Sequence, residues 1–193
     1  KTRTETKFES LPIPGPVIEG IRDAKFEFCT PIQSKTLPLS LTGKDVAGQA
    51  QTGTGKTAAF LISMFTRLVQ NPKPKKTSWA APRGLIIAPT RELARQIEKD
   101  ALILGGHCDF QIVCVHGGMD YEKQRNRIKK GADILIVTPG RLIDYYKQKF
   151  FSLKSVEVLV IDEADRLFDM GFIKDIRYIL KNIILFVLVQ IFA

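Results

Sequence analysis

The chain has 193 residues, of which 45% are hydrophobic and 25% charged, and this composition excludes a disordered or fibrous protein. Its length fits one domain that buries a sizeable core. The 29 Lys and Arg residues exceed the 20 Asp and Glu residues, so the net charge of +9 favours a polyanionic partner such as nucleic acid.

Two helices are predicted near the start of the chain. Residues 1–7 are charged and rich in threonine, which is typical of a poorly ordered end. Apolar positions at helical spacing predict a helix over 16–24. After a loop, a second helix begins at Pro31 and is expected to bend or stop near Pro38, because a proline inside a helix removes a hydrogen bond and clashes with the preceding turn.

A short strand over 45–47, a loop over 50–57 and a buried helix follow. Glycines in this loop let backbone N–H groups converge on phosphate oxygens. Lys56 supplies a charge for the β- and γ-phosphates, and the hydroxyl of Thr57 is placed to ligate Mg²⁺. The general pattern has glycine where this chain has Ala50, and a chance Gly/Thr-rich turn is the alternative. The predicted phosphate loop consists of Ala50, Gln51, Thr52, Gly53, Thr54, Gly55, Lys56 and Thr57.

Strands alternate with helices after a basic connection over 71–82, which we interpret as a solvated loop. Continuous apolar strands separated by amphipathic helices predict an α/β fold, with a predominantly parallel sheet that carries helices on both faces. In such sheets ligands bind at the carboxyl ends of the strands. The predicted strands are 84–88, 111–116, 134–138 and 156–161, and the predicted helices are 90–104, 120–130 and 141–148.

An acidic run, Asp162-Glu163-Ala164-Asp165, directly follows the last of these strands. Carboxylates at the edge of a buried strand are costly unless a cation accompanies them. Asp162 can complete the shell of a Mg²⁺ ion held at the phosphate loop, and Glu163 can orient or deprotonate the attacking water. The alternative is a solvated helix N-cap that happens to be acidic.

Residues 183–193 form an atypical apolar tail. Its eleven residues are fewer than the roughly 20 that span a bilayer. We therefore expect a final buried strand and no membrane partner.

Cysteine usage favours an intracellular, cytoplasmic protein. The number of cysteines is odd, none has C-x-x-C spacing, and they lie in or beside apolar segments, so we expect them to be reduced. The chain begins at Lys1 rather than Met, which indicates a piece of a longer protein. No metal-ligand cluster surrounds either histidine. These residues are Cys29, Cys108, Cys114, His107 and His116.

Together, these motifs resemble the first RecA-like domain of DEAD-box ATP-dependent RNA helicases, over about residues 8–180. The family has alanine at the position of Ala50, which removes the departure noted above. The resemblance implies one RecA-like ATP-binding domain over 1–193, with ATP and Mg²⁺ as cofactors and the second RecA-like domain absent. Residues 45–57 and 140–145 look most like the bacterial RhlB type. The family's Ser-Ala-Thr motif, expected beyond the tail, is not found.

Residues 26–33 look like the family's adenine-recognising Q motif. By this resemblance Phe26 stacks on the base, Gln33 hydrogen-bonds its edge, and Phe8 is the isolated upstream aromatic residue. Lys25 stands where the family usually has glycine.

Three strand ends bear small or hydroxyl residues ahead of a helix, and the resemblance matches them to motifs Ia, GG and Ib. Helix N-termini offer unpaired N–H groups, glycine permits close backbone approach, and arginine adds a bidentate phosphate donor. Each turn alone is a common strand–helix connection, but together they predict a grip on the RNA backbone that reads no bases. Their residues are Pro89, Thr90, Arg91, Gly117, Gly118, Thr138, Pro139, Gly140 and Arg141.

The expected function is therefore ATP-driven RNA clamping and local duplex unwinding, with RNA-processing or RNA-decay proteins as possible partners. This chain alone is expected to be nearly inactive, because the family's arginine finger lies in the absent domain. A nucleotide-gated RNA-binding scaffold with little catalysis is the alternative from another class. A DNA translocase is the alternative enzyme, but it gives no reason for Gln33.

Overall fold

A computed structural model of the chain describes residues 3–51, 53–72, 81–183 and 187–193. Thr52 of the predicted phosphate loop lies outside the described residues. The same holds for Lys1, Thr2, most of the basic connection over 71–82, and residues 184–186 of the apolar tail.

The described residues form one sheet of six parallel strands in the order β1-β6-β5-β2-β4-β3. Every residue of β2, β4 and β5 is buried, as strands covered on both faces require. The predicted parallel α/β fold is confirmed. The strands are β1 Val46–Gly48, β2 Gly84–Ile87, β3 Ile112–Val115, β4 Ile134–Val137, β5 Val158–Ile161 and β6 Leu188–Phe192.

Helices pack on both faces of this sheet, and alternate strand side chains feed two separate cores. In β2, Ile86 joins the core beneath α1 to α4, whereas Leu85 and Ile87 join the core beneath α5 to α8. A short 3₁₀ turn, Phe8–Ser10, precedes them. The helices are α1 Gly15–Asp23, α2 Pro31–Ser40, α3 Lys56–Gln70, α4 Arg91–Leu104, α5 Tyr121–Lys129, α6 Pro139–Lys147, α7 Ala164–Asp169 and α8 Ile173–Lys181.

Two details near the start of the chain test the sequence predictions. Helix α2 runs past Pro38 but ends at Ser40, close to the expected stop. Part of the end predicted to be poorly ordered instead runs alongside residues 27–29. The N–H of Thr4 donates to the carbonyl of Cys29 at 2.9 Å, and the N–H of Cys29 donates to the carbonyl of Thr6 at 2.8 Å. These backbone hydrogen bonds hold the polar segment in an ordered position, which its composition does not predict.

The apolar tail contributes a central strand. β6 lies between β1 and β5, where Gln190 aligns with Val46 on one side and Val160 on the other. The predicted final buried strand is thus confirmed. Among the described residues, the structure contains no helix long and apolar enough to cross a membrane.

Candidate nucleotide and nucleic-acid site

A cleft of about 480 Å³ opens at the carboxyl ends of β1 and β5. The phosphate loop forms its floor, Asp162 and Glu163 form one wall, and Phe26 with one face of α4 forms the other. Because all strands are parallel, the loops that follow β1 and β5 meet at the same edge of the sheet. The topology therefore joins residues that lie more than a hundred positions apart in sequence.

The phosphate loop owes its shape to two glycines. Gly53 and Gly55 have φ values of 80° and 97°, a region that L-residues with a side chain rarely occupy. A Cβ at Gly55 would also lie 2.5 Å from Nε2 of Gln33. Glycine at position 55 is thus required both by the backbone and by its neighbour.

Lys56 and Thr57 open helix α3 directly after this turn. The ammonium of the buried Lys56 donates to the carbonyl of Ala193 at 3.2 Å, beside the end of β6. Thr57 is half-buried and lines the cleft. A cation and a hydroxyl at a helix N-terminus together form a surface suited to phosphate oxygens.

Asp162 is a buried carboxylate, only 2% exposed. One of its oxygens accepts the N–H of Glu163 at 3.0 Å. Burial raises the pKa of Asp162 to about 6, an effect that the Glu163 N–H and the charge of Lys56 reduce and that neighbouring carboxylates increase. A buried carboxylate that faces a phosphate loop is a suitable ligand for a cation.

These residues fit Mg²⁺ in the way this ion usually binds. The described residues contain no group of three or more His, Cys, Asp or Glu side chains that could hold a metal. Mg²⁺ does not need one, since it commonly takes one or two carboxylates, water and substrate phosphates. Thr57 and Asp162 line this cleft and offer the hydroxyl and carboxylate oxygens that such a site needs.

Glu163 occupies an unusual backbone conformation at the N-cap of α7. Its φ and ψ are 47° and 52°, and its carboxylate lies 3.3 Å from Nη1 of Arg166. A left-handed residue that is not glycine costs about 1–3 kcal/mol and is most common at functional sites. The turn directs the chain from β5 into α7 and leaves Glu163 on the cleft wall.

Gln33 contacts the phosphate loop directly. Its carbonyl oxygen accepts the N–H of Thr30 at 2.8 Å, and its amide nitrogen donates to the carbonyl of Gly55 at 3.0 Å. Because the side chain is only 3% exposed, these contacts join α2 to the loop. Its bond to an adenine edge stays a prediction.

The two candidate aromatic residues differ in access. Phe26 is 37% exposed and lines the cleft, so its ring is available to a base. Phe8 is 1% exposed, and its ring centroid lies 6.4 Å from that of Phe26. In this structure Phe8 supports Phe26 from the core. Its own contact with the cofactor stays a prediction.

The three turns predicted to grip RNA follow β2, β4 and β3, which are consecutive strands of the sheet. They therefore share the edge that carries the cleft. The guanidinium of Arg91 lies against Gly118 so closely that a Cβ there would overlap it. The structure thus brings together the turn after β2 and the turn after β3, since Arg91 and Gly118 are 27 positions apart in sequence.

The residues of these turns are not equally accessible. Arg91, Gly118 and Gly140 are exposed, and Gly117 and Thr90 are half-buried. Arg141 lies over the ring of Tyr121 at 5.0 Å and pairs with Asp144 at 3.4 Å, so its guanidinium is held in place. Pro89, Thr138 and Pro139 are buried, so their side chains shape the turns, and their contact with RNA stays a prediction.

Three polar residues that the sequence did not single out support the Gly117–Gly118 turn. The N–H of His116 donates to Oε1 of Gln124 at 2.7 Å, and Nε of Arg95 donates to Nε2 of His116 at 3.2 Å. Gln124 is fully buried on an otherwise charged helix. That contrast is the one signal in the sequence that could have revealed this support.

Sequence analysis also did not identify the part of the cleft that α4 lines. Gln96 and Asp100 line it and are joined by a hydrogen bond of 3.0 Å. Their spacing of four residues places them on one helical face, but exposed polar pairs of this kind are too common to indicate a site.

Comparison with protein families gives one match for this chain: residues 30–191 fit the model described as DEAD/DEAH box helicase. Among curated proteins, "ATP-dependent RNA helicase RhlB" of Idiomarina loihiensis is 54% identical over 182 residues. The match covers 94% of this chain and 43% of the relative. The protein with the same name from Xanthomonas oryzae pv. oryzae is 51% identical, with 94% of this chain and 32% of the relative covered.

Two solved structures have the same fold. A DEAD box protein from Methanococcus jannaschii superposes with a TM-score of 0.86 at 32% identity, covering 97% of this chain and 49% of that one. A hypothetical ATP-dependent RNA helicase from Sulfolobus tokodaii gives 0.82 at 37% identity, with 94% and 50% covered. The chain therefore spans half or less of the length of each of these proteins.

Proposed function

This chain belongs to the DEAD/DEAH box helicase family, and from that premise we propose that it is the ATP-binding RecA-like domain of an RNA helicase of the RhlB type. One observation carries the proposal: Lys56, Thr57, Asp162 and Glu163 line a single cleft. The turns with Arg91 and its neighbours lie at the same edge of the sheet. The proposed nucleotide site and the proposed phosphate-binding surface thus lie at the same edge of one sheet.

In the proposed reaction the chain positions ATP for attack by water. Phe26 packs against adenine, Gln33 recognises its edge, and backbone N–H groups of the phosphate loop together with Lys56 hold the phosphates. Thr57 and Asp162 would hold Mg²⁺, which supplies positive charge to the β- and γ-phosphates when bound. Glu163 orients the attacking water and accepts its proton.

RNA binding on the neighbouring turns is proposed to use phosphates and not bases. Arg91 and Arg141 donate to phosphate oxygens, and Gly118 and Gly140 leave room for the backbone of the strand. The register pairs Ile87 with both Ile161 and Val137, so the acidic run and two RNA turns follow adjacent residues of the sheet. This short rigid path supports coupling between the two sites.

The complete activity requires more protein than this chain. The relatives are longer than the chain, which supports the proposal that a second RecA-like domain closes over ATP and RNA and thereby bends a short duplex. A cytoplasmic location and RNA-processing or RNA-decay partners belong to the same proposal.

The decisive experiment measures RNA-stimulated ATP turnover in the full-length protein. Glu163→Gln is expected to keep nucleotide binding and to abolish hydrolysis, because it preserves shape and removes the base. Lys56→Ala is expected to weaken nucleotide binding itself. Wild-type turnover by Glu163→Gln would contradict the assigned role.

The same assay separates the two alternatives. A nucleotide-gated scaffold would bind ATP and RNA without appreciable stimulation of turnover. A DNA translocase would be stimulated by single-stranded DNA at least as well as by RNA. The proposed function requires stimulation by RNA above DNA.

A further inference from the structure

A second groove, of about 660 Å³, lies between the end of α6 and the end of α8. Both helices run antiparallel to the strands that precede and follow them, so their C-terminal ends lie at the amino edge of the sheet. This basic groove is thus on the opposite edge from the nucleotide cleft. It is defined here by Tyr146, Lys147, Lys149, Lys154, Tyr178 and Asn182.

Exposed cations without an ion pair lie in the basic groove and along α8. The exposed cations are Lys147, Lys149 and Lys154 in the groove and Lys174, Arg177 and Lys181 on α8. In the described part of the chain none of the six makes an ion pair. Lys147 and Lys181 lie in the last turns of their helices, where the helix dipole favours cations. Lys149 and Lys154 lie beyond α6 and have no such explanation.

Lys149 occupies a backbone position that favours glycine. Its φ is 58°, and it follows α6 in a Schellman turn. The N–H of Phe150 bonds the carbonyl of Tyr145 at 3.0 Å, and the N–H of Lys149 bonds the carbonyl of Tyr146 at 2.9 Å. Lysine at this position strains the backbone. Glycine at this position would relieve the strain, so a single substitution there separates an effect on stability from an effect on binding.

An aromatic ring lies among these lysines. Tyr178 is 43% exposed, and its ring meets Tyr146 edge-on, with centroids 6.0 Å apart. Tyr146 in turn packs on the buried Phe151 at 6.1 Å. Tyr178 is thereby positioned by Tyr146 while much of its side chain stays exposed to solvent. A fixed, exposed ring beside unpaired lysines is the arrangement that binds single-stranded nucleic acid, through stacking and phosphate contacts.

We propose that the basic groove is a second RNA-binding surface, which takes a single strand with one base on Tyr178 and phosphates on Lys149 and Lys154. It lies apart from the three turns and does not depend on ATP. The exposed ring favours RNA over an acidic peptide, for which the lysines alone would suffice. The groove would hold a part of the RNA that the turns do not.

The test exploits the strain at Lys149. Lys149→Gly relieves the backbone and removes a phosphate contact, so it is expected to raise the melting temperature and weaken RNA binding. We expect affinity for a fluorescent ten-nucleotide oligouridylate to fall about fivefold and the salt slope to become shallower by about 0.7. Tyr178→Ala is expected to reduce affinity about fivefold or more, since one stacking contact is lost.

Two controls keep the result specific. Lys25 has the same left-handed conformation, with φ 57°, so Lys25→Gly is expected to stabilise the chain without changing affinity in the absence of nucleotide. All titrations use the 193-residue chain with Arg91→Ala as background, which lowers binding at the three turns. Failure of the ATPase tests above would leave this assay unaffected.

Photocrosslinking with 4-thiouridine in the oligonucleotide locates the contact. Crosslinks within 146–154 or 178–182, together with opposite effects of Lys149→Gly on stability and affinity, support the proposal. Unchanged affinity in both groove variants, or crosslinks confined to the three turns, would overturn it. Polyglutamate that displaces the oligonucleotide at a lower concentration than polyuridylate would also overturn it, in favour of an acidic peptide.

Discussion

At the scale of single residues, burial of the Asp162 carboxylate is expected to lower the stability of the folded chain, although the proposed function needs this carboxylate in the cleft. Its pKa in the folded chain is raised to about 6 from 3.8, first because of burial. The folded chain therefore binds more protons than the unfolded chain between about pH 4 and 6, and its stability falls as pH rises through that window. We predict that Asp162→Asn stabilises the chain by about 1–3 kcal/mol at pH 7.5, and that the difference disappears near pH 3.5.

Urea unfolding from pH 3.5 to 8, with a chelator and without nucleotide, measures this effect. Asp165→Asn is the matched control, because Asp165 belongs to the same acidic run but is exposed; its expected effect is near zero. Equal stability of Asp162→Asn and wild type at pH 7.5 would show that burial does not penalise this carboxylate.

Single residues also show where sequence-based prediction ends. Lys56, Thr57 and Asp162 could be predicted to lie together because phosphate and Mg²⁺ chemistry demands these residue types at strand ends, and all three line the cleft. The burial of Phe8 could not be predicted, since an aromatic residue in a polar segment is equally compatible with a ligand contact and with the core. The bond between Gln33 and Thr30 follows the spacing of a capping box, whereas the bond between Gln33 and Gly55 depends on tertiary proximity that spacing does not contain.

At the scale of elements, β6 is joined to α3 by a buried polar contact. Nε2 of Gln190 donates to Oγ of Ser63 at 2.7 Å, and both residues are buried. Ser63→Ala leaves the Gln190 amide without this acceptor, and we expect a loss of about 1–3 kcal/mol in unfolding free energy. The Ser63→Ala/Gln190→Leu double variant is expected to recover most of it. Additive losses in a double-mutant cycle by urea unfolding would show that the contact contributes nothing.

The turn between β2 and α4 makes a separate prediction about RNA. If Arg91 contacts one phosphate, Arg91→Ala should weaken unrelated RNA sequences alike and make the log–log salt slope shallower by about 0.7. Lys99→Ala, which removes an exposed cation from the middle of the same helix, is the control and should leave the slope unchanged. Titrations of two RNA sequences at several salt concentrations are required. A strong preference for one sequence would exclude a grip on the backbone alone.

Elements were predicted more completely than their arrangement. Apolar runs of four to six residues predicted β2 to β5, because strands buried on both faces must be continuously apolar. The strand order was not predictable, since every strand presents the same kind of surface to its neighbours. Helix α7 was not predicted because it has only six residues, and α8 was not predicted because it lies between the acidic motif and the unusual tail, whose patterns drew the interpretation of this region.

At the scale of the whole molecule, the proposed mechanism divides the active site between this chain and a second domain. We predict that this chain alone binds nucleotide weakly and hydrolyses it about 10³- to 10⁵-fold more slowly than the full-length protein, the range attributed to an arginine finger. Steady-state phosphate release with saturating RNA measures the difference. Adding the remainder of the protein in trans is expected to restore turnover, and rapid hydrolysis by the chain alone would contradict a site divided between two domains.

The central position of β6 has a consequence for how the chain folds during synthesis. Val46 pairs with Gln190, so β1 has no strand partner on that side until residues 188–192 have left the ribosome. The strands from β2 to β5 can assemble earlier, because their partners are nearer in sequence. Contacts of such high sequence separation slow folding, and in the interval β1 and the edge of β5 expose unpaired backbone groups. The nucleotide site is thus the last part of the sheet to form, and nascent chains that stop before β6 are expected to be substrates for chaperones.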